Sequence, residues 1–468
     1  MKIEQLYTNC LAHAAYFVES DGEAAIFDPL RDTDMYLELA QKNNTQIKYV
    51  FETHFHADFV SGHLDLAKHT GAFIVYGPGA APKFDAIIAT DGQCFQLGKA
   101  MIKAIHTPGH TMESTVYLLI DEEGKETGLI TGDTLFIGDV GRPDLVQLLN
   151  SERTPEKLAS LLYHSLRNKI MPLQDDIIIY PNHGAGSACG KNMSKVTIDT
   201  LGHQKKVNYA LNPSLTEAEF TRLILTGLSK APAYFPDNVL MNINGYTDYN
   251  DLMVRNNHPL SVQEFEAIRN EKQILIVDTR TSEEFAKGFI PNSLHIGLNG
   301  NFAQWAGELI KHVDQEIVLV TEIGKEKESI TRLARIGFDH VLGYVEGGFA
   351  AWQEAHKPSS SVERISAKQL MEKIQLGTET IIDVRSCMEF ESYHVPNSIS
   401  IPLQRIEAEL DKIPSSNPFQ IICAGGYRSM IAASILKRNN IHHFVDVIGG
   451  MDAVKKLELS TEKIIEVQ

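Results

Sequence analysis

The chain has 468 residues, 43% hydrophobic and 22% charged, with a formal net charge of −17, which sets roughly two to four folded domains with ample core. That acidity, with no basic patch to offset it, argues against nucleic acid and anionic membrane as partners. No apolar run is long enough to span a bilayer, Met1-Lys2-Ile3-Glu4-Gln5 lacks the apolar segment of a secretory signal, and Cys10, Cys94, Cys189, Cys387 and Cys423 are scattered and odd in number, so free thiols in the cytoplasm are expected.

In chain order, strand-like runs fall over 14–18, 24–27, 48–53, 101–105, 115–120, 128–131 and 176–180. Helical patterns are fewer. Residues 34–41 and 62–70 predict early helices, and 215–229 predict a later one, capped by Thr216 with Glu219 three residues on. So strand-rich a start suits two sheets packed face to face with helices outside.

The run Thr53-His54-Phe55-His56-Ala57-Asp58-Phe59 follows one of these strands. Further candidates lie in Thr107-Pro108-Gly109-His110, Thr131-Gly132-Asp133, Gly141-Arg142-Pro143-Asp144 and Pro181-Asn182-His183-Gly184. Each sits at a strand end, where a rigid scaffold presents its loops. Imidazoles and a carboxylate suit zinc or ferrous iron. Singly, each residue reads as a satisfied polar group or a cap. Together, in this order and beside glycine or proline, they read as a metal site.

This stretch resembles the metallo-β-lactamase superfamily over residues 1 to about 250, and in particular its persulfide dioxygenase branch with bacterial members fused to rhodanese domains. The run from Glu52 to Gly62 carries the likeness, with aromatic Phe59 where the hydrolases have a histidine that binds a second metal. Gly132-Asp133-Thr134-Leu135-Phe136 and Gly141-Arg142-Pro143-Asp144-Leu145 carry it further. The resemblance implies one ferrous iron per chain held by His54, His110 and Asp133, with zinc as the alternative. It places His56, Asp58 and His183 around the metal, orienting ligands or lining the pocket, and Arg142 against the charge of the substrate. The alternative for this domain is a zinc thioester hydrolase like glyoxalase II.

The second half repeats itself. Ile276-Val277-Asp278-Thr279-Arg280, Glu284-Phe285 and Ile290-Pro291-Asn292-Ser293 return as Ile382-Asp383-Val384-Arg385, Glu389-Phe390 and Val395-Pro396-Asn397-Ser398. Gly347-Gly348 returns as Gly449-Gly450. A period of about 105 residues suits a duplicated small α/β domain. His356-Lys357-Pro358-Ser359-Ser360-Ser361 reads as the linker.

In the last copy, Ile421-Ile422-Cys423-Ala424-Gly425-Gly426-Tyr427-Arg428-Ser429 reads as strand, glycine-rich loop and helix. A cysteine there faces backbone N–H groups and a helix N-terminus, which favour a thiolate. The loop resembles that of the rhodaneses. The resemblance implies that Cys423 carries a persulfide, with Arg428 adding charge and the backbone of Ala424, Gly425, Gly426 and Tyr427 cradling the sulfur. Phosphatases share this loop logic and remain the alternative. The middle copy reads Thr321-Glu322-Ile323-Gly324-Lys325-Glu326-Lys327-Glu328-Ser329 instead, and no cysteine lies between Cys189 and Cys387. It reads as a domain that has lost its nucleophile and serves as spacer or docking surface.

The expected architecture is therefore α/β multidomain: an αββα metallo-β-lactamase sandwich over 1–255, a degenerate rhodanese domain over 256–357 and an active one over 362–468. The implied activity is oxidation of a small thiol persulfide by dioxygen to sulfite, coupled to sulfur transfer giving thiosulfate. The implied partners are thiol persulfide, dioxygen and sulfite, with no nucleic acid and no membrane, and the protein is expected to be a homo-oligomer. A non-catalytic sulfur-sensing scaffold is the reading from another class. Cys189 is placed on a glycine-rich loop that rims the metal pocket, Cys387 in a minor loop, and Cys10 and Cys94 in packing roles.

Overall fold

The computed structural model describes residues 1–145, 154–228, 230–376, 380–414 and 417–461. Ser229, the end of one expected helix, and 462–468, the end of the last expected domain, lie outside the described residues. The chain divides into two units. The first holds Met1–Leu252 with Lys311–Val313 and Leu333–Phe338, and the second holds the remainder from Met253 on.

Unit 1 is built on two six-stranded sheets. The first runs in sequence order through Lys2–Thr8, His13–Ser20, Glu23–Phe27, Gln46–Phe51, Phe73–Tyr76 and Ile87–Ile88. The second places Asp199–Thr200, Ile178–Pro181, Glu126–Gly132, Thr115–Ile120, Ala100–His106 and Cys94–Leu97 side by side. Successive side chains of a strand point to opposite faces, and here both faces are covered. Tyr16, Val18, Phe27 and Phe51 meet Phe95, Ile102, Tyr117, Leu119 and Ile130 between the sheets. Their neighbours Ala15, Phe17, Ile26 and Val50 turn outward, onto Tyr36 and Leu39 of helix Asp34–Asn43 and Leu66 of helix His63–Thr70. On the far side, Leu118, Leu129 and Ile179 pack against Leu162 of helix Pro155–Ser165 and Phe220 of helix Glu217–Leu225. The central strands read as apolar runs because neither of their faces meets water, whereas the edge strands Lys2–Thr8 and Cys94–Leu97 keep exposed positions.

The expected helix over 215–229 is shorter, Glu217–Leu225. Its start is as expected: Thr216 accepts from the Glu219 N–H and Glu219 reaches back, a reciprocal capping box. Its end comes early because Thr226 is extended and Gly227 takes φ +77°. The periodicity did not register this stop.

Unit 2 contains two five-stranded parallel sheets of identical order. In the middle copy the order is Pro259–Leu260, Val341–Val345, Ile317–Val320, Leu275–Asp278 and Leu294–His295. In the last it is Arg364–Ser366, Phe444–Ile448, Phe419–Ile422, Thr380–Asp383 and Ile399–Ser400. The repeated residues do the same work twice. Arg280 closes on Asp278 and donates to the Gly288 carbonyl, as Arg385 closes on Asp383 and donates to that of Tyr393. The Pro-Asn-Ser turns place Asn292 and Asn397 in the left-handed region, which asparagine tolerates. Cys387 is the exposed first residue of helix Cys387–Ser392, not a loop thiol. Cys94 is exposed on a strand and Cys10 is half-buried, so the packing role expected for Cys94 does not hold.

Replacing Thr216 by alanine removes the side-chain acceptor of its capping box. The variant is expected to lose about 1 kcal/mol from the unfolding of unit 1, read as a lower urea midpoint at unchanged slope.

Candidate metal centre and thiol loop

Strand ends bring His54, His110 and Asp133 together, with one ligand atom of each within 4.8 Å of the others. All three are buried. The Thr53 hydroxyl stands 3.0 Å from His54 Nδ1, and the Arg142 carbonyl 2.9 Å from His110 Nδ1. Each contact occupies one ring nitrogen and leaves Nε2 for a metal, the usual way a ligand histidine is oriented. His110 Nε2 lies 3.4 Å from Asp133 Oδ2. Both oxygens of Asp133 are buried with no hydrogen-bond partner, and a carboxylate so placed calls for a cation. Burial, then the neighbouring His56 and His110 rings, push His54 well below the usual histidine range, so it is a neutral donor. Two imidazoles and one carboxylate fit ferrous iron or zinc.

His56 takes no part in that trio. Its Nε2 lies 2.9 Å from Asp28 Oδ1 and 3.3 Å from Glu52 Oε2, all buried. Burial opposes a charged His56, but Asp28 and Glu52 outweigh it and raise its pKa well above the usual range. Burial pushes Glu52 up to about 7. Asp28 also accepts from the Thr53 N–H at 2.7 Å, fixing the start of the histidine loop. Sequence reasoning missed Asp28, Glu52 and His13. Asp28 stands at a strand end before Pro29, and Glu52 directly precedes Thr53-His54, which were the available signals.

Phe59 is fully buried. Its ring stacks on His56 at 4.3 Å and lies 4.2 Å from the His13 ring. It offers no lone pair to a second metal. The structure adds a feature at that place: Asp58, His183 and Cys189 form another trio of donors. His183 Nε2 is 3.4 Å from Asp58 Oδ2 and 3.5 Å from Asp133 Oδ1. Burial, then Asp58 and Asp133, push the Cys189 thiol up.

Arg142 is held by the chain's own groups in this structure. Its guanidinium closes on Asp144 through two contacts of 2.7 Å and donates to the Ala188 carbonyl at 3.3 Å. Its main chain serves the site instead: the carbonyl orients His110, and the N–H donates to the Cys189 carbonyl. Gly141, just before it, is a close-approach glycine. A Cβ there would stand 2.1 Å from the Asp133 carbonyl oxygen and 2.9 Å from His110 Nδ1.

In unit 2, Cys423 follows strand Phe419–Ile422 and precedes helix Tyr427–Arg438. The thiol is 1% exposed. Gly426, at φ +99°, turns its N–H onto Cys423 Sγ at 3.1 Å, and Ser429 Oγ lies 3.5 Å away. Arg428 carries its charge within reach of Cys423. Glu389 holds it with two contacts of 2.7 and 2.6 Å.

In the middle copy Thr321 stands where Cys423 does. It follows strand Ile317–Val320, and its carbonyl meets Gly348 as that of Cys423 meets Gly450. The loop borders a cavity of about 320 Å³ lined in part by Thr279, Thr281, Glu322, Lys325, Glu328 and Arg332. Both cations pair with Glu328. No sulfur nucleophile faces this space.

The metallo-beta-lactamase superfamily matches residues 8–183, and the rhodanese-like domain matches 261–355 and 366–457. A solved metallo-beta-lactamase from Staphylococcus aureus subsp. aureus COL is 30% identical with a TM-score of 0.66, over 73% of this chain and 98% of that one. The chain belongs to the metallo-beta-lactamase superfamily. Its metallo-beta-lactamase domain is followed by two rhodanese-like domains. Curated relatives of the first domain differ in activity. A probable hydroxyacylglutathione hydrolase of Schizosaccharomyces pombe is 27% identical over 44% of this chain and 77% of its own length. The mitochondrial persulfide dioxygenase ETHE1 of Bos taurus is 29% identical over 42% of this chain and 67% of its own. No helix among the described residues is long and apolar enough to cross a membrane.

Gly141→Ala is expected to weaken metal retention about 10- to 100-fold, checked by metal content after dialysis against graded chelator. Arg428 holds the Glu389 carboxyl down at about 2. A lowered pKa contributes stability that is complete above the ordinary carboxylate value near 4.5 and lost as pH falls through about 2. The pair is partly exposed, so solvent screens it. Glu389→Gln should cost under about 1 kcal/mol at pH 7, and the gap between variant and wild-type melting points should close only below about pH 4.

Proposed function

We propose that the first domain oxidises the terminal sulfur of a small thiol persulfide with dioxygen, giving sulfite and the free thiol, and that Cys423 turns that sulfite into thiosulfate. The observation that carries the reading is the pairing, in one chain, of a two-histidine, one-aspartate centre with a cysteine cradled by a rhodanese loop. Ferrous iron held by His54, His110 and Asp133 would supply redox chemistry toward dioxygen, with coordination positions left open. Phe59 supports this reading because it denies a second metal the ligand that a two-metal hydrolase uses.

The remaining work falls to the chain's own groups. Thr53 and the Arg142 carbonyl hold the two histidines in orientation. Burial of all three donors keeps bulk water from the centre, and Phe59 packs on His56 and His13 beside it. At the other site, the Cys423 thiolate attacks the outer sulfur of a second persulfide and releases the thiol as its thiolate. Sulfite then attacks the outer sulfur of the Cys423 persulfide, forming the S–S bond of thiosulfate and returning the thiolate. The Gly426 N–H stabilises the anion each time it reforms.

A second reading is a zinc thioester hydrolase, favoured by the hydroxyacylglutathione hydrolase relatives and by the Asp58, His183 and Cys189 donors. The test joins metal analysis to assay. The proposed reading expects one iron per chain and oxygen uptake on glutathione persulfide as probe. Asp133→Ala should abolish both, and Phe59→His should not raise uptake. Two zinc ions per chain with hydrolysis of lactoylglutathione and no uptake would overturn it.

Cys423→Ser should keep iron and oxygen uptake while the product shifts from thiosulfate to sulfite. An unchanged sulfite-to-thiosulfate ratio would remove Cys423 from the path.

A further inference from the structure

Helix Tyr427–Arg438 carries the thiol loop at its N-terminus, and every residue from Ser429 to Leu436 is buried. A helix lying on one sheet buries a single stripe. This one is covered from both sides. Its own sheet covers one side, and the middle copy covers another, where the His295 N–H donates to Ser434 Oγ at 3.0 Å.

The first residue of that helix makes the closest connection. Tyr427 Oη donates to the Gly297 carbonyl of the middle copy at 2.8 Å. Its ring lies over Gly300, where a Cβ would stand 2.4 Å from the ring carbons. Any larger residue there would push the ring aside. Arg332 donates to the Leu298 carbonyl at 2.7 Å, and Leu298 and Asn299 wall the cavity of the retired centre. The loop 297–300 is thus held by both Tyr427 and Arg332. Tyr427 is also the chain neighbour of Gly426, whose N–H is aimed at Cys423 Sγ.

We propose that the middle copy is a working part of the sulfur-transfer site: its loop 297–300 seats Tyr427, and that seat fixes the Gly426 N–H on the Cys423 sulfur. The proposal rests on the reading of Cys423 as a sulfane-sulfur carrier. Tyr427 is a positioning residue and touches no substrate. Arg332, in a domain without a nucleophile, braces the seat. A copy that lost its cysteine is thereby useful to the copy that kept one. Freed from the seat, the start of the helix gains rotational freedom. The N–H then spends less time on the sulfur, and the thiolate loses the donor that favours it.

The test uses the full chain in three variants: Tyr427→Phe, which keeps the ring and loses the hydroxyl, Gly300→Ala, which crowds the seat, and Arg332→Gln, which loosens its brace. Two quantities are read. One is thiosulfate-to-cyanide sulfur transfer, separated into kcat and KM. The other is the pH midpoint for alkylation of Cys423 by iodoacetamide, followed on the Cys423 peptide by mass spectrometry. Tyr427→Phe should lower kcat about two- to tenfold, the effect of one hydrogen bond, with KM for thiosulfate held. The alkylation midpoint should move to higher pH in all three variants. Unchanged kcat and midpoint in the folded variants would overturn the proposal. So would a fall in kcat with no movement of the midpoint, since that is the mark of a packing role alone. If Gly300→Ala fails to fold, Tyr427→Phe and Arg332→Gln decide. If the wild type transfers no sulfur, the functional reading of Cys423 fails, while the midpoints still decide whether the seat acts on its thiol.

Discussion

Buried, desolvated charge is the constraint around which unit 1 is arranged. Asp28, Glu52, Asp58 and Asp133 are withdrawn from water at the ends of strands, among His13, His54, His56, His110 and His183. A carboxylate in that setting is expensive unless a cation or a donor answers it. Asp28 is answered by His56 and the Thr53 N–H. Asp133 has no donor at all, and its two oxygens face His110 and His183. The same loop therefore separates two kinds of histidine. His54 is kept neutral and free at one nitrogen, whereas His56 is kept charged by its carboxylates. The two sheets hold this arrangement because both of their faces are packed, which leaves the strand ends little room to move.

The second centre solves a different problem with different means. A single thiol needs stabilising only when it becomes an anion. A backbone N–H and a helix N-terminus supply that at no cost in buried net charge. Glu389 pairs with Arg428, whose charge still acts on Cys423 alongside the backbone dipoles. In the middle copy the same place holds Thr321 and a mixture of paired charges. Its fold survives because Asp278 with Arg280 and the Asn292 turn are structural and owe nothing to the lost nucleophile.

Much of this was legible in the residues. A metal site at the strand ends could be read because metal chemistry restricts ligand types, and the family resemblance singled out His54, His110 and Asp133 within it. The duplication could be read because Asp-x-Arg and Pro-Asn-Ser each satisfy a local backbone need, and local needs leave local patterns. The cap at Thr216 and Glu219 is of the same kind. Local pattern failed where a residue's partner is distant in the chain. Arg142 looked available for an anion, yet the Ala188 carbonyl, 46 residues on, joins nearby Asp144 in taking its guanidinium. Arg428 looked like a free charge until Glu389 closed on it. Cys94 looked like a packing residue and faces solvent.

The sequence by itself determined the kinds of centre this protein has: which side chains can donate to a metal, which thiol sits on a glycine loop, and which copy has none. Those are matters of residue chemistry and short-range spacing. Only the tertiary structure decided how each group is employed. It tied His56 to Asp28 and Glu52, brought Cys189 to Asp58 and His183, and laid Tyr427 on Gly297 and Gly300. The decisive links, His56 to Asp28, Asp58 to His183 and Tyr427 to Gly297, join residues far apart along the chain. Packing alone sets such distances, because a contact worth one hydrogen bond is specified by the fold of everything between its ends.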